Sequence, residues 1–334
     1  MNLNFHRKLS IAPMLDYTDR HFRHLVRLLT KNTLLYTEMI PANALVHADP
    51  EPFLKHSLEE APVALQLGGG SPETLALAAK KAEDAGYQEI NLNCGCPSDR
   101  VQNGSFGACL MKDRFKVARC IEAMQKAVQI PVTVKCRIGI DHEDSIEFFM
   151  NFIQTVHEAG CDTFIIHARK AWLKGLSPKE NRDVPPLNYD RVIELKKSMP
   201  HLNVSINGGI KTLEQTKELL HLLDGVMIGR AAYENPWMLR NVDSEIYGMK
   251  DPVWHSRKEL LNAYLPYVEQ ELAGGCPLTI ITRHLSSLFN GLPGSRKYRQ
   301  MLSENAPKAK NGVELLLKAM DFVEEQECLL KNRD

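Results

Sequence analysis

The run Glu89-Ile90-Asn91-Leu92-Asn93-Cys94-Gly95-Cys96-Pro97-Ser98 combines residue types that a proton-transfer site needs. Its apolar part reads as a strand. Asn91 and Asn93 are two residues apart and therefore share one face, while Cys94 points to the other. The strand breaks at Gly95, and Cys96 follows, held by Pro97. In a parallel strand this places the two amides inside and a thiol just past the carboxyl end, where α/β barrels keep their chemistry. The continuation Asp99-Arg100-Val101-Gln102-Asn103-Gly104, with Gly107 shortly after, is predicted to form a polar loop long enough to wrap a ligand. A thiol of near-neutral pKa on such a loop is a suitable general acid. Two cysteines compete for that role: Cys94 lies within the strand and turns outward, and Cys96 lies beyond it.

A second constellation suits an anion. Asn207-Gly208-Gly209-Ile210 and Gly229-Arg230 close two successive strand-like runs. In barrels the last two such loops commonly cradle a phosphate on backbone amides, and Arg230 could add a charge-assisted fork. Lys135 sits inside the apolar run Val-Thr-Val-Lys-Cys-Arg, where a lysine needs an anionic partner or a functional reason. Gln66 and His167 end two further runs. No G-x-G-x-x-G turn is present, and Gly68-Gly69-Gly70 lacks that spacing, so a nicotinamide donor would have to bind transiently rather than in its own nucleotide module.

Two stretches are locally basic. Residues 169–182 contain five basic residues and one acidic residue. Residues 283–310 carry Arg283, Arg296, Lys297, Arg299, Lys308 and Lys310 against Glu304 alone. The formal net charge is zero, which excludes a chain-wide electrostatic grip on nucleic acid but permits local patches. The eight cysteines lack the paired spacing of a zinc site, and no metal site is expected; apart from Cys96 they read as reduced core thiols. No apolar run approaches a membrane span, and the short polar amino terminus shows no signal peptide.

The elements that must position these residues alternate. Strands are predicted at Leu9–Met14, Leu34–Met39, Val63–Leu67, Glu89–Cys94, Val132–Ile138, Thr163–Ala168, Val204–Asn207 and Gly225–Gly229. Helical patterns at Pro72–Ala85, Asp113–Val128, Asp144–Ala159, Tyr189–Ser198 and Thr212–Leu222 separate most of them. This is the rhythm of an α/β protein, a (β/α)8 TIM barrel, with a doubly wound sheet as the alternative. The length of 334 residues allows a barrel plus an appendage. After residue 240 the pattern is helical, over His255–Ala273, Leu278–Asn290, Arg296–Asn305 and Val313–Leu330. The expected division is a barrel domain at 1–245 and a helical domain at 250–334.

The run around Cys96, with the polar strand ends in this order, resembles the signature of the tRNA-dihydrouridine synthases, flavoenzymes that reduce uridine in tRNA. The resemblance covers essentially the whole chain. It implies FMN bound by Pro13, Met14, Leu15, Gln66, Lys135, His167, Asn207, Gly208, Gly209, Gly229 and Arg230, with NADPH as reductant. Lys135 beside the pyrimidine edge would stabilise the reduced, anionic flavin. It implies Cys96 as the proton donor to C5 and Asn93 as a contact of the substrate uridine. Cys94 departs from the family, which often has an aliphatic residue there. The stretches HARKAWLKGLSPKENR and GSRKYRQMLSENA resemble the branch that modifies positions 20 and 20a, with Lys179, Arg182, Arg296 and Arg299 at tRNA-contact positions. Such an enzyme would be cytoplasmic, would extrude its target base from the tRNA elbow, and would need no membrane or obligate protein partner. A barrel flavoenzyme acting on free pyrimidines and a non-catalytic tRNA-binding module are the competing readings.

Overall fold

Eight short runs rich in Val, Ile and Leu form eight parallel strands because each has apolar side chains on its outer face and a helical segment after it to cover them. In this computed structural model, which describes residues 2–98, 104 and 106–331, they are β1 (Leu9–Ile11), β2 (Leu35–Pro41), β3 (Val63–Gly68), β4 (Glu89–Cys94), β5 (Val132–Arg137), β6 (Thr163–His167), β7 (Asn203–Asn207) and β8 (Gly225–Ile228). The strand order is β1-β8-β7-β6-β5-β4-β3-β2, all parallel. A parallel bridge between Ser10 and Leu34 brings β1 to the start of β2. Ile11 there donates its N–H to the Leu34 carbonyl at 3.0 Å. The sheet is a (β/α)8 barrel, as expected, and the doubly wound alternative falls.

The boundaries differ from the expected ones mostly by a residue or two. Among the strands the largest difference is β1, which ends at Ile11 rather than Met14; among the helices it is the one expected over Leu278–Asn290, which ends at Leu285. Beyond Ala12 the chain turns: the amides of Tyr17 and Thr18 both reach the Met14 carbonyl, and Asp16 takes a left-handed φ of 65°.

Five barrel helices start alike. The side chains of Ser71, Asp113, Ser145, Asn188 and Thr212 accept the N–H three residues on, from Thr74, Lys116, Phe148, Arg191 and Gln215. Each such cap satisfies an orphan amide and contributes about 1 kcal/mol. These helices lie at Pro72–Asp84, Arg114–Ala127, Ile146–Glu158, Tyr189–Ser198 and Leu213–Leu220. The outward strand residues Leu65, Ile90, Leu92, Val134, Phe164, Ile166 and Ile206 are fully buried. A second buried cluster joins Leu3, Ala12, Leu34, Tyr36, Ala64, Ile165 and Met227, with Met14 packed against it. Most other inward positions of β3 to β7 are polar, and they build the site.

By packing, residues 1–20 and 32–229 form one unit, and residues 21–31 with 230–334 form another. The second contains the helices Arg257–Ala273, Leu278–Leu285, Ser295–Asn305 and Gly312–Lys331. Its early segment is well tied. Trp254 donates its indole N–H to the Leu28 carbonyl at 2.8 Å, and Asp243 accepts from the Thr30 hydroxyl and the Lys31 amide at 2.6 and 2.7 Å.

Candidate active site at the carboxyl rim of the barrel

A single hydrogen-bonded chain runs up the inside of the barrel from a buried ion pair to the Cys96 loop. At its foot Arg7 meets Glu89 at 2.6 Å, both almost wholly buried. Glu89 also accepts from the Tyr36 hydroxyl at 2.7 Å and the Thr133 hydroxyl at 2.6 Å. Burial alone would lower the Arg7 pKa, and Glu89 with smaller help from Tyr36 reverses it to a rise; burial and then Glu89 push the Tyr36 phenol well up. Asn91 donates to Thr133 at 2.9 Å, Gln66 donates to Asn91 at 2.8 Å, and Asn93 donates to Gln66 at 2.8 Å. The Asn93 carbonyl oxygen then accepts the backbone N–H groups of Gly95 and Cys96 at 3.0 and 2.9 Å.

The direction of this chain is forced from both ends. The Glu89 carboxylate only accepts and the two backbone amides only donate, so each of the three side-chain amides between them has one consistent orientation. The result positions Cys96. Its carbonyl is held as well, by the Ala108 N–H at 2.8 Å. Asp99 to Asn103, the first part of the expected ligand loop, lie outside the described residues.

The two competing thiols now differ sharply. Cys94 is completely buried on the outer face of β4, and burial raises its pKa well above the ordinary value. A thiol there is inert. Cys96 is half-buried on the loop past the strand end.

Beside Asn93 in register stands Lys135 on β5, and beside Arg137 stands His167 on β6. Among the described residues Lys135 makes no hydrogen bond or ion pair. Burial, and then Arg137, lower its pKa to about 8. Burial followed by Arg137 and Lys135 holds His167 well below its ordinary pKa, so its ring is neutral at pH 7. Among the described residues the buried His167 Nδ1 has no hydrogen-bond partner. Buried polar atoms are rarely left so, and an unpaired lysine with an unpaired imidazole nitrogen on one rim suits an acceptor-rich, anionic ligand.

Next to His167 the chain after β7 turns through Gly208 and Gly209, with left-handed φ values of 113° and 74°. A Cβ at Gly208 would sit 3.2 Å from the His167 ring, and one at Gly209 would sit 2.5 Å from Leu187. Side chains are therefore excluded and the backbone is left accessible. Tyr189 fixes this turn by donating its hydroxyl to the Gly208 carbonyl at 2.6 Å. The Asn207 side chain donates to the Met227 carbonyl of β8 at 2.8 Å and ties the two loops together. Gly229 lies close to Ala12 and Met14, and Arg230 begins the next helix. Pro13 and Met14 are half-buried here, while Leu15 is 66% exposed. The carboxamide of Gln66 is already engaged by Asn91 and Asn93, which leaves it one amide hydrogen for a ligand. A separate cleft of about 260 Å³ lies over Gly68–Gly70, Ser71 and Lys116, past the ends of β2 and β3.

Arg137, by sequence a polar strand end beside Lys135, has partners that only the fold supplies. It is buried, and its pKa is lowered to about 10 by burial. It donates to the Gly95 carbonyl at 2.9 Å and to the carbonyls of Lys170 and Asn181 at 3.0 Å. It thus joins the Cys96 loop to the basic loop after β6. The signal was a second cation on the same face as Lys135, but its backbone partners are remote in sequence. Asn181, fully buried, organises that loop by bonding to the backbone of Trp172, Leu176 and Ser177. Lys179 and Arg182 project from it exposed. In the second unit Arg296 and Arg299, three apart on the Ser295–Asn305 helix, are exposed as well, and Tyr298 between them is buried.

Residues 10–326 match the family model described as Dihydrouridine synthase (Dus). The chain is 55% identical over 314 residues to a protein of Vibrio vulnificus (strain CMCP6) named tRNA-dihydrouridine(20/20a) synthase, covering 94% of this chain and 96% of that one. Proteins of the same name from Shewanella oneidensis and Escherichia coli (strain K12) are each 56% identical over 321 residues, covering 96% and 95% of this chain and 95% and 91% of theirs. The polar rim, the thiol beyond β4 and the glycine turn after β7 thus stand in a chain that belongs to the dihydrouridine synthase family.

Proposed function

We propose that this protein reduces uridine to 5,6-dihydrouridine at positions 20 and 20a of the tRNA D-loop, with FMN as cofactor and NADPH as reductant, in the cytoplasm. The observation that carries this reading is the pairing of a positioned, half-buried Cys96 with a rim whose Lys135 and His167 Nδ1 lack partners among the described residues. A tRNA-binding module would need neither. The names of the relatives give the substrate and its positions.

The residues fit FMN. Gly208, Gly209 and the Gly229–Arg230 step offer backbone amides and a guanidinium to a phosphate. Lys135, His167 Nδ1 and the remaining Gln66 hydrogen are suited to the polar edge of a flavin, and Pro13, Met14 and Leu15 to its apolar part. When bound and reduced, FMN supplies the hydride that C6 of the uracil ring receives. The chain's own task is the proton. The Cys96 thiol gives it to C5, and Asn93, whose carbonyl oxygen is occupied by the loop amides, keeps one amide hydrogen for a uracil oxygen. Lys179 and Arg182 on one unit, and Arg296 and Arg299 on the other, hold tRNA phosphates.

The test is dihydrouridine mapping in tRNA treated with the purified protein and NADPH. The wild type should carry releasable FMN and modify positions 20 and 20a, with free uridine a poor substrate. Cys96→Ala should slow uridine reduction by about 10²-fold or more, the usual weight of a positioned acid, with flavin reduction by NADPH near normal. Cys94→Ala should do little. The opposite ranking of the two cysteines would overturn the assignment.

A further inference from the structure

We infer that the second unit carries a transition-metal site, built from His21 Nε2, Cys276 Sγ and a carboxylate oxygen of Glu271, which fits Zn²⁺. No sequence spacing could announce it, because His21 and Cys276 are separated by most of the chain. In the structure the three ligand atoms lie within 4.8 Å of one another. Cys276 Sγ is 3.6 Å from His21 Nε2. That separation is the edge expected of a tetrahedral zinc site: bonds of about 2.3 Å to sulfur and 2.0–2.1 Å to nitrogen span about 3.5 Å. Rotation of the half-buried Glu271 side chain brings in the third donor. Water completes the set.

The surroundings prepare each ligand. His21 is almost wholly buried, and the Tyr267 hydroxyl lies 2.8 Å from its Nδ1. A hydroxyl at that distance can accept from Nδ1–H, which selects the tautomer whose Nε2 can bind a metal, the arrangement usual for a metal-bound histidine. Tyr267 is held in turn by stacking on His24, with ring centroids 4.0 Å apart. Tyr264 donates its hydroxyl to the His21 carbonyl at 2.9 Å. Cys276 is set by the end of the Arg257–Ala273 helix: Gly275 takes φ of 85°, and the Cys276 amide returns to the Glu271 carbonyl at 2.9 Å. This helix stop folds the thiol back over Glu271. An imidazole, a thiolate and a carboxylate form a borderline-soft donor set that suits Zn²⁺ better than Mg²⁺ or Ca²⁺. The ion would clamp the early segment 21–31 to the last turn of a helix more than two hundred residues later.

The experiment uses the full-length protein, stripped with a chelator, in a Cys328→Ser background that removes the exposed thiol. Co²⁺ is the spectroscopic probe and Zn²⁺ the competitor. One equivalent of Co²⁺ should give thiolate charge transfer together with tetrahedral d–d bands to the red of flavin absorption, and Zn²⁺ should bleach both. Cys276→Ser should abolish the charge transfer, and Tyr267→Phe should weaken zinc binding by about 10-fold, as loss of an orienting partner does. His21 is buried and its replacement risks unfolding, so the half-buried Cys276 and Glu271 carry the test, with Glu271→Gln also weakening zinc binding. Absence of stoichiometric binding, or a cobalt spectrum unchanged by Cys276→Ser, would overturn the site and leave an ordinary thiol–imidazole hydrogen bond. The outcome is independent of uridine reduction.

Discussion

The two ends of the barrel interior are both polar, yet they are built on opposite principles. At the floor, Arg7, Glu89, Tyr36 and Thr133 satisfy one another so completely that the carboxylate accepts from three side chains. At the rim, Lys135 and His167 Nδ1 are half-buried or buried, without partners among the described residues. Burial works against both charged forms there. A polar group desolvated at a cost and left unpaired makes sense where a ligand completes it; a paired one makes sense as a fixed reference. The three amides between the ends transmit that reference to Cys96.

The largest effect should come from breaking the floor. Glu89→Gln leaves Arg7 charged, buried and uncompensated, and should destabilise the protein by about 3–5 kcal/mol in denaturant unfolding. His167→Gln, at the rim, should cost far less stability while weakening flavin retention. Thr133→Val sharpens the contrast. It cuts the chain above the ion pair, so the Asn91, Gln66 and Asn93 amides lose the acceptor-only end that sets their direction. Activity should fall, and Thr133→Ser should restore it. If Thr133→Val unfolds as readily as Glu89→Gln yet, when folded, reduces uridine normally, the amide chain is packing alone.

What the sequence could announce and what it could not follow the same division. The strands were legible because two-residue alternation is local, and the barrel helices because their starts are marked by Ser, Asp, Asn or Thr caps. Gly208 and Gly209 were legible as a turn, and the unusual lysine at 135 as a rim group. The Arg7–Glu89 pair was not, since eighty-two residues separate its members and nothing near either marks the other. Arg137 was legible as a polar strand end, but its ties to the backbone carbonyls of two loops were not. The segment 21–31 reads locally as the opening of the barrel. Its place with the C-terminal helices depends on Trp254, Asp243 and Tyr264, which only the folded chain brings to it.

A smaller effect tests the rim by pH. The Lys135 pKa, lowered to about 8, means that the ammonium is lost from the ligand-free protein as pH rises through that value. In the proposed site flavin binding would favour the charged form, so FMN affinity should fall above about pH 8 and binding there should take up a proton. The stability of the flavin-free protein has the opposite sign. Between about pH 8 and the unfolded lysine value of ~10.4 the unfolded chain holds more protons, so stability rises with pH in that window. Lys135→Met should weaken FMN binding at pH 7 and remove both dependences. Fluorescence titration of FMN across this range, with chemical denaturation of the flavin-free protein, measures the two. A pH profile of FMN affinity unchanged by the substitution would place the flavin away from β5.

The smallest effect belongs to exposed charges, unlike the buried groups of the floor and the rim. Arg296 and Arg299 are exposed on one helix, and Arg299 reaches the side chain of Asn290. Hydrated already, they lose little when removed, so Arg296→Ala with Arg299→Ala should leave stability within about 0.5 kcal/mol of wild type. Their contribution should appear only against a polyanion. Each phosphate neutralised releases condensed counterions, so the double variant should raise KM for tRNA and lower the salt slope of binding by about two, in proportion to the two charges lost. Flavin reduction by NADPH should not change. Lys179→Ala with Arg182→Ala should act likewise from the loop that Asn181 organises, and the two pairs should add. If the rim recognises only a uracil ring, as proposed, these four charges would decide which uridine is delivered. Their loss should therefore cost activity at positions 20 and 20a without improving any other position. A fourfold variant with unchanged tRNA affinity and an unchanged salt slope would show that RNA binds a different face.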